Sequence, residues 1–152
     1  GKRVSEILTA LGAQVIAYDL YPDNKWADSN QVKYSPYKIL LNKSDIISLH
    51  ISPADNEEPL IGEKEIHLMK PGAMIINTSR GQFIDENALL DGLSTNKIGG
   101  AGLDVYINEP YYGDLIKLDN VVLTPHIATL TKESRLEMEI QATQNLLNEL
   151  NK

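Results

Sequence analysis

Apolar residues along the chain follow two rhythms that alternate from end to end. Val4, Ile7, Leu8 and Leu11 recur at helical spacing, and Gly12 follows as a C-cap. QVIAYD (14–19) is then a short apolar run with the character of a buried strand. A polar, proline-containing stretch, LYPDNKWADSNQ, reads as loop; QVKYS reads as a brief strand and YKILLNK as a short helix. DIISLHI (45–51) is a second apolar strand, closed by Ser52-Pro53 and a polar loop. GEKEIHLMK (62–70) predicts a helix ended by Pro71-Gly72, AMIINTS (73–79) a third strand, and DENALLDGLSTN (85–96) a helix with Asp85 as N-cap. GAGLDVY (100–106) and NVVLTPH (120–126) are two more strands, and a long helix runs from a Thr131 cap to Leu150.

Strands that are near-continuous apolar runs, alternating with helices, predict a parallel sheet covered on both faces: a doubly wound α/β fold in a single domain. Ligands of such sheets sit beyond the carboxyl ends of the strands. The residues that end strands here are Asp19, His50, Arg80, Asp104 and His126. All five are titratable, a coincidence that packing alone does not explain.

Composition narrows the possibilities. The 152 residues include 42% hydrophobic and 23% charged side chains, as in ordinary globular proteins. A net charge of −7 argues against nucleic acid or an anionic membrane as the main partner. Cysteine is absent, which removes disulfides and thiolate zinc sites, and a cytoplasmic location is expected. The three histidines, 50, 67 and 126, show no ligand spacing, so no metal is expected; His67 reads as structural. Neither a G-x-S-x-G elbow nor a Walker lysine motif occurs. The chain opens directly into a helix with no methionine or capping residue, as expected of a piece cut from something longer.

Several side chains suit definite chemistry. Asp19 ends the first visible strand, where an acidic residue accepts hydrogen bonds from an adenine ribose and repels the extra phosphate of NADP. The helix opening at Gly1 offers amides to a pyrophosphate, Gly1 standing as the last glycine of a fingerprint otherwise missing. Arg80 has the planar fork that grips a carboxylate with two parallel bonds, although Ser79-Arg80-Gly81 also reads as a plain solvated turn. His126 has the titration range of a general acid–base, with a capping or core histidine as the alternative. Glu109 is placed to orient that imidazole and favour its protonated form, or else is a solvated loop carboxylate.

Taken together, MKPGAMIINTSRGQFIDENALLDGL, KIGGAGLDVYINEP and LDNVVLTPHIA resemble the D-isomer-specific 2-hydroxyacid dehydrogenases, in order and in spacing. The resemblance implies a Rossmann-type NAD-binding domain over 1–152 that lacks its first strand and most of its glycine-rich loop. That strand would lie between those of QVIAYD and DIISLHI. It implies hydride transfer between NAD and a 2-keto or D-2-hydroxy acid. Arg80 would hold the substrate, His126 would exchange the proton, and Glu109 would pair with His126. Asp104 would bind the nicotinamide carboxamide, Thr78 and Ser79 would line the cofactor with Arg80 and His126, and the His50-Ile51-Ser52 segment would lie along it. Asp19 and Gly1 would meet the adenosine half. A homodimer is implied as well. A dinucleotide-sensing or corepressor-like protein and a methyltransferase using S-adenosylmethionine are the competing readings; the complete set of Arg80, Glu109 and His126 argues against the first, and the second would leave TSRG and TPHIA unexplained.

Overall fold

The computed structural model describes residues 1–52 and 59–151. The loop expected from Pro53 onward lies largely outside the described residues. The chain begins with α1 (Lys2–Ala10), which ends as its glycine dictates. Gly12 adopts φ +88°, the Gly12 amide donates to the Thr9 carbonyl, and the Ala13 amide donates to Leu8. This is a Schellman closure, which needs a residue free to take a left-handed conformation.

The first strand shrinks to β1 (Ile16–Ala17), which pairs in parallel with β2 (Lys33–Tyr34). Between them the stretch read as loop folds into α2 (Asn24–Ser29). Asp23 caps it by accepting from the Trp26 amide at 3.1 Å, and Ala27 is buried. A cap residue at the head of a polar six-residue helix leaves almost no apolar period, so the pattern missed it.

The remaining elements are α3 (Tyr37–Lys43), β3 (Ile46–Leu49), α4 (Glu63–Leu68), β4 (Ala73–Asn77), α5 (Glu86–Ser94), β5 (Ile98–Leu103), β6 (Val121–Leu123) and α6 (Lys132–Leu150). Short 3-10 turns occupy Gly81–Phe83 and Asp114–Lys117. Asp85 caps α5 through the Ala88 amide and Thr131 caps α6 through the Ser134 amide, as the sequence predicts. The strands β3-β4-β5-β6 form one parallel sheet in that order, with Ile47, Ile75, Ala101 and Val121 in one row. The β1-β2 pair is a separate sheet, and among the described residues no strand joins it to β3. The break falls where a strand is expected to be wanting.

One face of the sheet is well covered. Ile47, Leu49, Ile75 and Leu103 pack with Leu41 of α3, Ile66 of α4, and Leu89 and Leu93 of α5. The opposite face corrects the expectation of two covered faces. Ile46, Met74 and Val122, which share that side by register, are 55%, 42% and 69% exposed. Neither α1 nor α6 buries a residue, so Leu136, Ile140 and Leu147 stand open to solvent. The alternation of strands and helices reports the period of each element; it does not report whether the second layer has closed.

Candidate functional site

Because β3 to β6 run parallel, their carboxyl ends share one edge, and the turns leaving them are tied to one another. Asn77, almost fully buried at the end of β4, governs the first turn. Its side-chain oxygen accepts from the Ser79 amide at 3.0 Å and its amide donates to the Arg80 carbonyl at 2.9 Å. The Ser79 hydroxyl donates to the Leu49 carbonyl at the end of β3. Thr78 and Arg80 are thereby held exposed on a fixed turn. The Arg80 guanidinium folds back, one nitrogen donating to the Ser79 carbonyl at 2.6 Å. Its remaining donors are enough for a bidentate grip on a carboxylate.

Gly81 explains why a glycine follows. A Cβ at this position would lie 2.0 Å from the Tyr106 carbonyl carbon and 2.4 Å from the Ile107 nitrogen. Only a residue without a side chain lets the Arg80 turn touch the segment leaving β5.

That segment carries the acid–base pair. Glu109 precedes a cis peptide to Pro110 and directs one carboxylate oxygen to His126 Nδ1 at 2.9 Å. Its other oxygen accepts from the Tyr106 amide at 3.1 Å. His126, and next the Tyr106 amide, hold the Glu109 carboxyl below its ordinary pKa. The carboxylate is therefore ionised at neutral pH, and it fixes Nδ1, leaving Nε2 to act. His126 has φ +55°, a left-handed conformation that costs an L-residue on the order of 1–2 kcal/mol. Surrounding bonds must hold it there.

Asp104 supplies two of them. Buried at 5% exposure, it accepts from the Thr124 hydroxyl at 2.5 Å and from the Ile127 and Ala128 amides, each at 2.9 Å. Burial alone would raise its pKa. The Thr124 hydroxyl, the two amides and the nearby His126 outweigh that and hold it below the usual carboxylate range. The expected carboxamide partner is thus first of all the anchor of the loop that carries His126. One acceptor position on Oδ2, which takes only the Ala128 amide, remains for a ligand.

On the side toward β1, Gly1 heads α1 with no side-chain cap, and a Cβ on it would lie 3.5 Å from His50 Cβ. The open amides of the first turn thus face the end of β3. His50 Nε2 lies 2.9 Å from the Ser48 hydroxyl. Partial desolvation lowers its pKa, so it is neutral at pH 7. Asp19 is exposed; one oxygen takes the Tyr21 amide at 2.8 Å, and the other has no partner among the described residues. Ile51 and Ser52 are exposed beyond β3. His67 stays within its helix, Nδ1 2.8 Å from the Glu63 carbonyl.

The structure therefore joins Glu109 to His126 directly and Asp104 to the same loop. It links Arg80 to them through the Gly81 contact and through Asn77, whose side-chain amide donates to the Arg80 carbonyl and whose own backbone carbonyl accepts from the Asp104 amide at 3.0 Å. Asn77, Tyr106 and Thr124 belong to this arrangement and were not singled out by sequence. Their side chains bond to backbone or to neighbouring strand ends, contacts that no linear period reports. Gly81 alone carried a visible signal, as the glycine of Ser-Arg-Gly. Among the described residues no cluster of histidines and carboxylates could hold a metal ion, and no helix is long and apolar enough to cross a membrane.

Comparison with known proteins identifies the family. The profile of the family described as "D-isomer specific 2-hydroxyacid dehydrogenase, NAD binding domain" matches residues 1–128. A glyoxylate reductase of Thermococcus litoralis is 41% identical over 148 residues, covering 97% of this chain and 45% of that protein. The crystal structure of a glyoxylate reductase from Paecilomyes thermophila superposes with a TM-score of 0.90 at 37% identity, over 100% of this chain and 46% of that one. An NAD-complexed D-isomer specific 2-hydroxyacid dehydrogenase from Lactobacillus delbrueckii ssp. bulgaricus gives a TM-score of 0.85 at 34% identity, over 99% of this chain and 50% of that one. The chain thus spans about half the length, or less, of these relatives. The profile match over most of the chain and the identity to these relatives lead to one assignment: the chain belongs to the D-isomer specific 2-hydroxyacid dehydrogenase family, with residues 1–128 matching its NAD-binding domain.

Proposed function

We propose that this domain serves an NAD-dependent oxidoreductase acting on a small 2-keto or D-2-hydroxy acid. The observation that carries the reading is the Glu109–His126 pair at 2.9 Å, one glycine contact away from the exposed Arg80 turn. A carboxylate substrate needs a bidentate cation, and a carbonyl that becomes a hydroxyl needs a proton donor beside it. NADH, when bound, supplies the hydride. The chain's own residues do the rest. Arg80 clamps the acid, His126 Nε2 delivers the proton to the carbonyl oxygen or removes it in reverse, and Glu109 stabilises the charged imidazole between those steps.

The donor set suits the dinucleotide. The uncapped start of α1 offers amides to a pyrophosphate, and the free oxygen of Asp19 accepts from a ribose hydroxyl and disfavours a 2′-phosphate. Thr78, Ser79 and the His50–Ser52 segment border the edge between them.

A homodimer is part of the same reading. A compact protein of 16.9 kDa has an accessible surface of about 7,700 Å², whereas this chain exposes 10748 Å², an excess of about 3,000 Å². Part of that surplus lies at Met74, Val122 and α6, whose apolar side chains are exposed, and such a face calls for a covering layer. The cytoplasmic location expected from the cysteine-free sequence is kept with it.

The test is titration with NADH, followed by Trp26 fluorescence. Trp26 bonds Glu6 of α1 and lies under Lys2 at the head of that helix, so it reports on the dinucleotide side. Saturable NADH binding, weaker for NADPH and absent for S-adenosylmethionine, is expected. Binding of S-adenosylmethionine alone would refute the reading.

A further inference from the structure

Tyr106 sits where every part of the site meets. Its amide holds the Glu109 oxygen that does not face His126. Its hydroxyl lies 3.0 Å from the Leu103 carbonyl, at the end of β5, and 3.0 Å from the Thr124 carbonyl, two residues before His126. One proton is shared between two strand ends, so the turn after β6 is tied to the turn after β5. Burial raises the pKa of the phenol, which keeps it protonated and donating. Its ring stacks on Tyr111 at 4.4 Å between centroids, and the Tyr111 hydroxyl donates to Glu86 at the start of α5. The backbone of Tyr106 is also the surface against which Gly81 packs, next to Arg80.

We propose that Tyr106 is the positioning residue that sets the Glu109–His126 pair and keeps it in register with the Arg80 turn. The catalytic consequence rests on the dehydrogenase reading; the positioning itself does not. Two contacts do the work. The shared hydroxyl bond fixes the spacing between the Glu109 loop and the Thr124–His126 turn. The van der Waals contact with Gly81 fixes the distance of that loop from Arg80. A side chain that merely filled space would need no hydroxyl donor shared between two strand-end carbonyls.

The charge state of Glu109 reports on this spacing, because its carboxyl is held low first by His126 and then by the Tyr106 amide, against smaller opposing effects of desolvation and then Asp104. The experiment is a pH titration of the Glu109 side-chain carboxyl by ¹³C NMR in the 152-residue chain, for wild type, Tyr106→Phe, Gly81→Ala and His126→Ala. His126→Ala defines the upward displacement of the midpoint when the pair is abolished. Tyr106→Phe, which keeps the ring and its stacking, is expected to give at least half of that displacement, and Gly81→Ala a similar one. A folded Tyr106→Phe chain with the wild-type midpoint would overturn the proposal, even if its melting temperature falls, because lost stability alone does not move Glu109. Should Gly81→Ala fail to fold, Tyr106→Phe decides. Binding of S-adenosylmethionine alone to the wild-type chain would sink the dehydrogenase reading and leave this titration unaffected.

Discussion

Asp104→Asn is the substitution whose outcome the structure specifies most closely. The wild-type carboxylate is buried and accepts three bonds, two of them from the Ile127 and Ala128 amides that flank His126 on its C-terminal side. Asparagine keeps one oxygen for the Thr124 hydroxyl and the Ile127 amide. It sets an NH₂ group against the Ala128 amide and removes the charge. An unpaired buried donor costs ~1–3 kcal/mol, and two charge-assisted bonds become neutral ones, so a total loss of about 2–4 kcal/mol is expected. Urea unfolding followed by circular dichroism measures it, and amide hydrogen exchange at Ile127 and Ala128 should accelerate with it. The pH dependence fixes the sign independently. The folded carboxyl titrates below its unfolded value of about 3.9, so its stabilisation is fully present above that pH and is lost as pH falls through the folded value. The gap between wild type and Asp104→Asn should therefore be constant at neutral pH and close in acid. A difference below about 0.5 kcal/mol at pH 7, the range of ordinary surface changes, would refute the anchoring role.

Other expectations follow from the proposed dehydrogenase reading, in a reconstituted full-length enzyme and on the cofactor side. Arg80→Lys should raise KM and lower kcat, a combined loss of about 10–100-fold in kcat/KM if one charge-assisted bond is forfeited; steady-state kinetics with 2-keto acids read it directly. His126→Ala should mainly lower kcat, by roughly 10²–10⁴, and wild-type-like rates across neutral pH would exclude the histidine as acid–base. Asp19→Ala should weaken NADH binding about tenfold while narrowing the preference over NADPH, as measured by Trp26 quenching. Light scattering should find the chain dimeric; a well-behaved monomer with one cooperative melt would contradict the covered-face argument.

Much of this architecture is written locally. Gly12 stops α1 because only glycine takes the left-handed turn at little cost, Asp85 and Thr131 start α5 and α6 through their own side chains, and YKILLNK is α3 residue for residue. These devices act over four or five residues, so a linear reading recovers them. Strand-end placement of Asp19, His50, Arg80, Asp104 and His126 was legible for a related reason: apolar runs end where side chains leave the core.

What the tertiary structure decided is how those strand ends are joined. Asp104 became the anchor of the His126 loop only because β5 and β6 are neighbours and the turn after β6 folds back over it. Gly81 gained its meaning only when residues 106 and 107 arrived within a side chain's width. The open face at Met74 and Val122 was equally invisible, since an apolar run has the same period whether or not a layer lies across it. Period and capping are properties of a segment and reside in its residues; register, close approach and coverage are properties of pairs of segments distant in sequence, and exist only once the chain has folded.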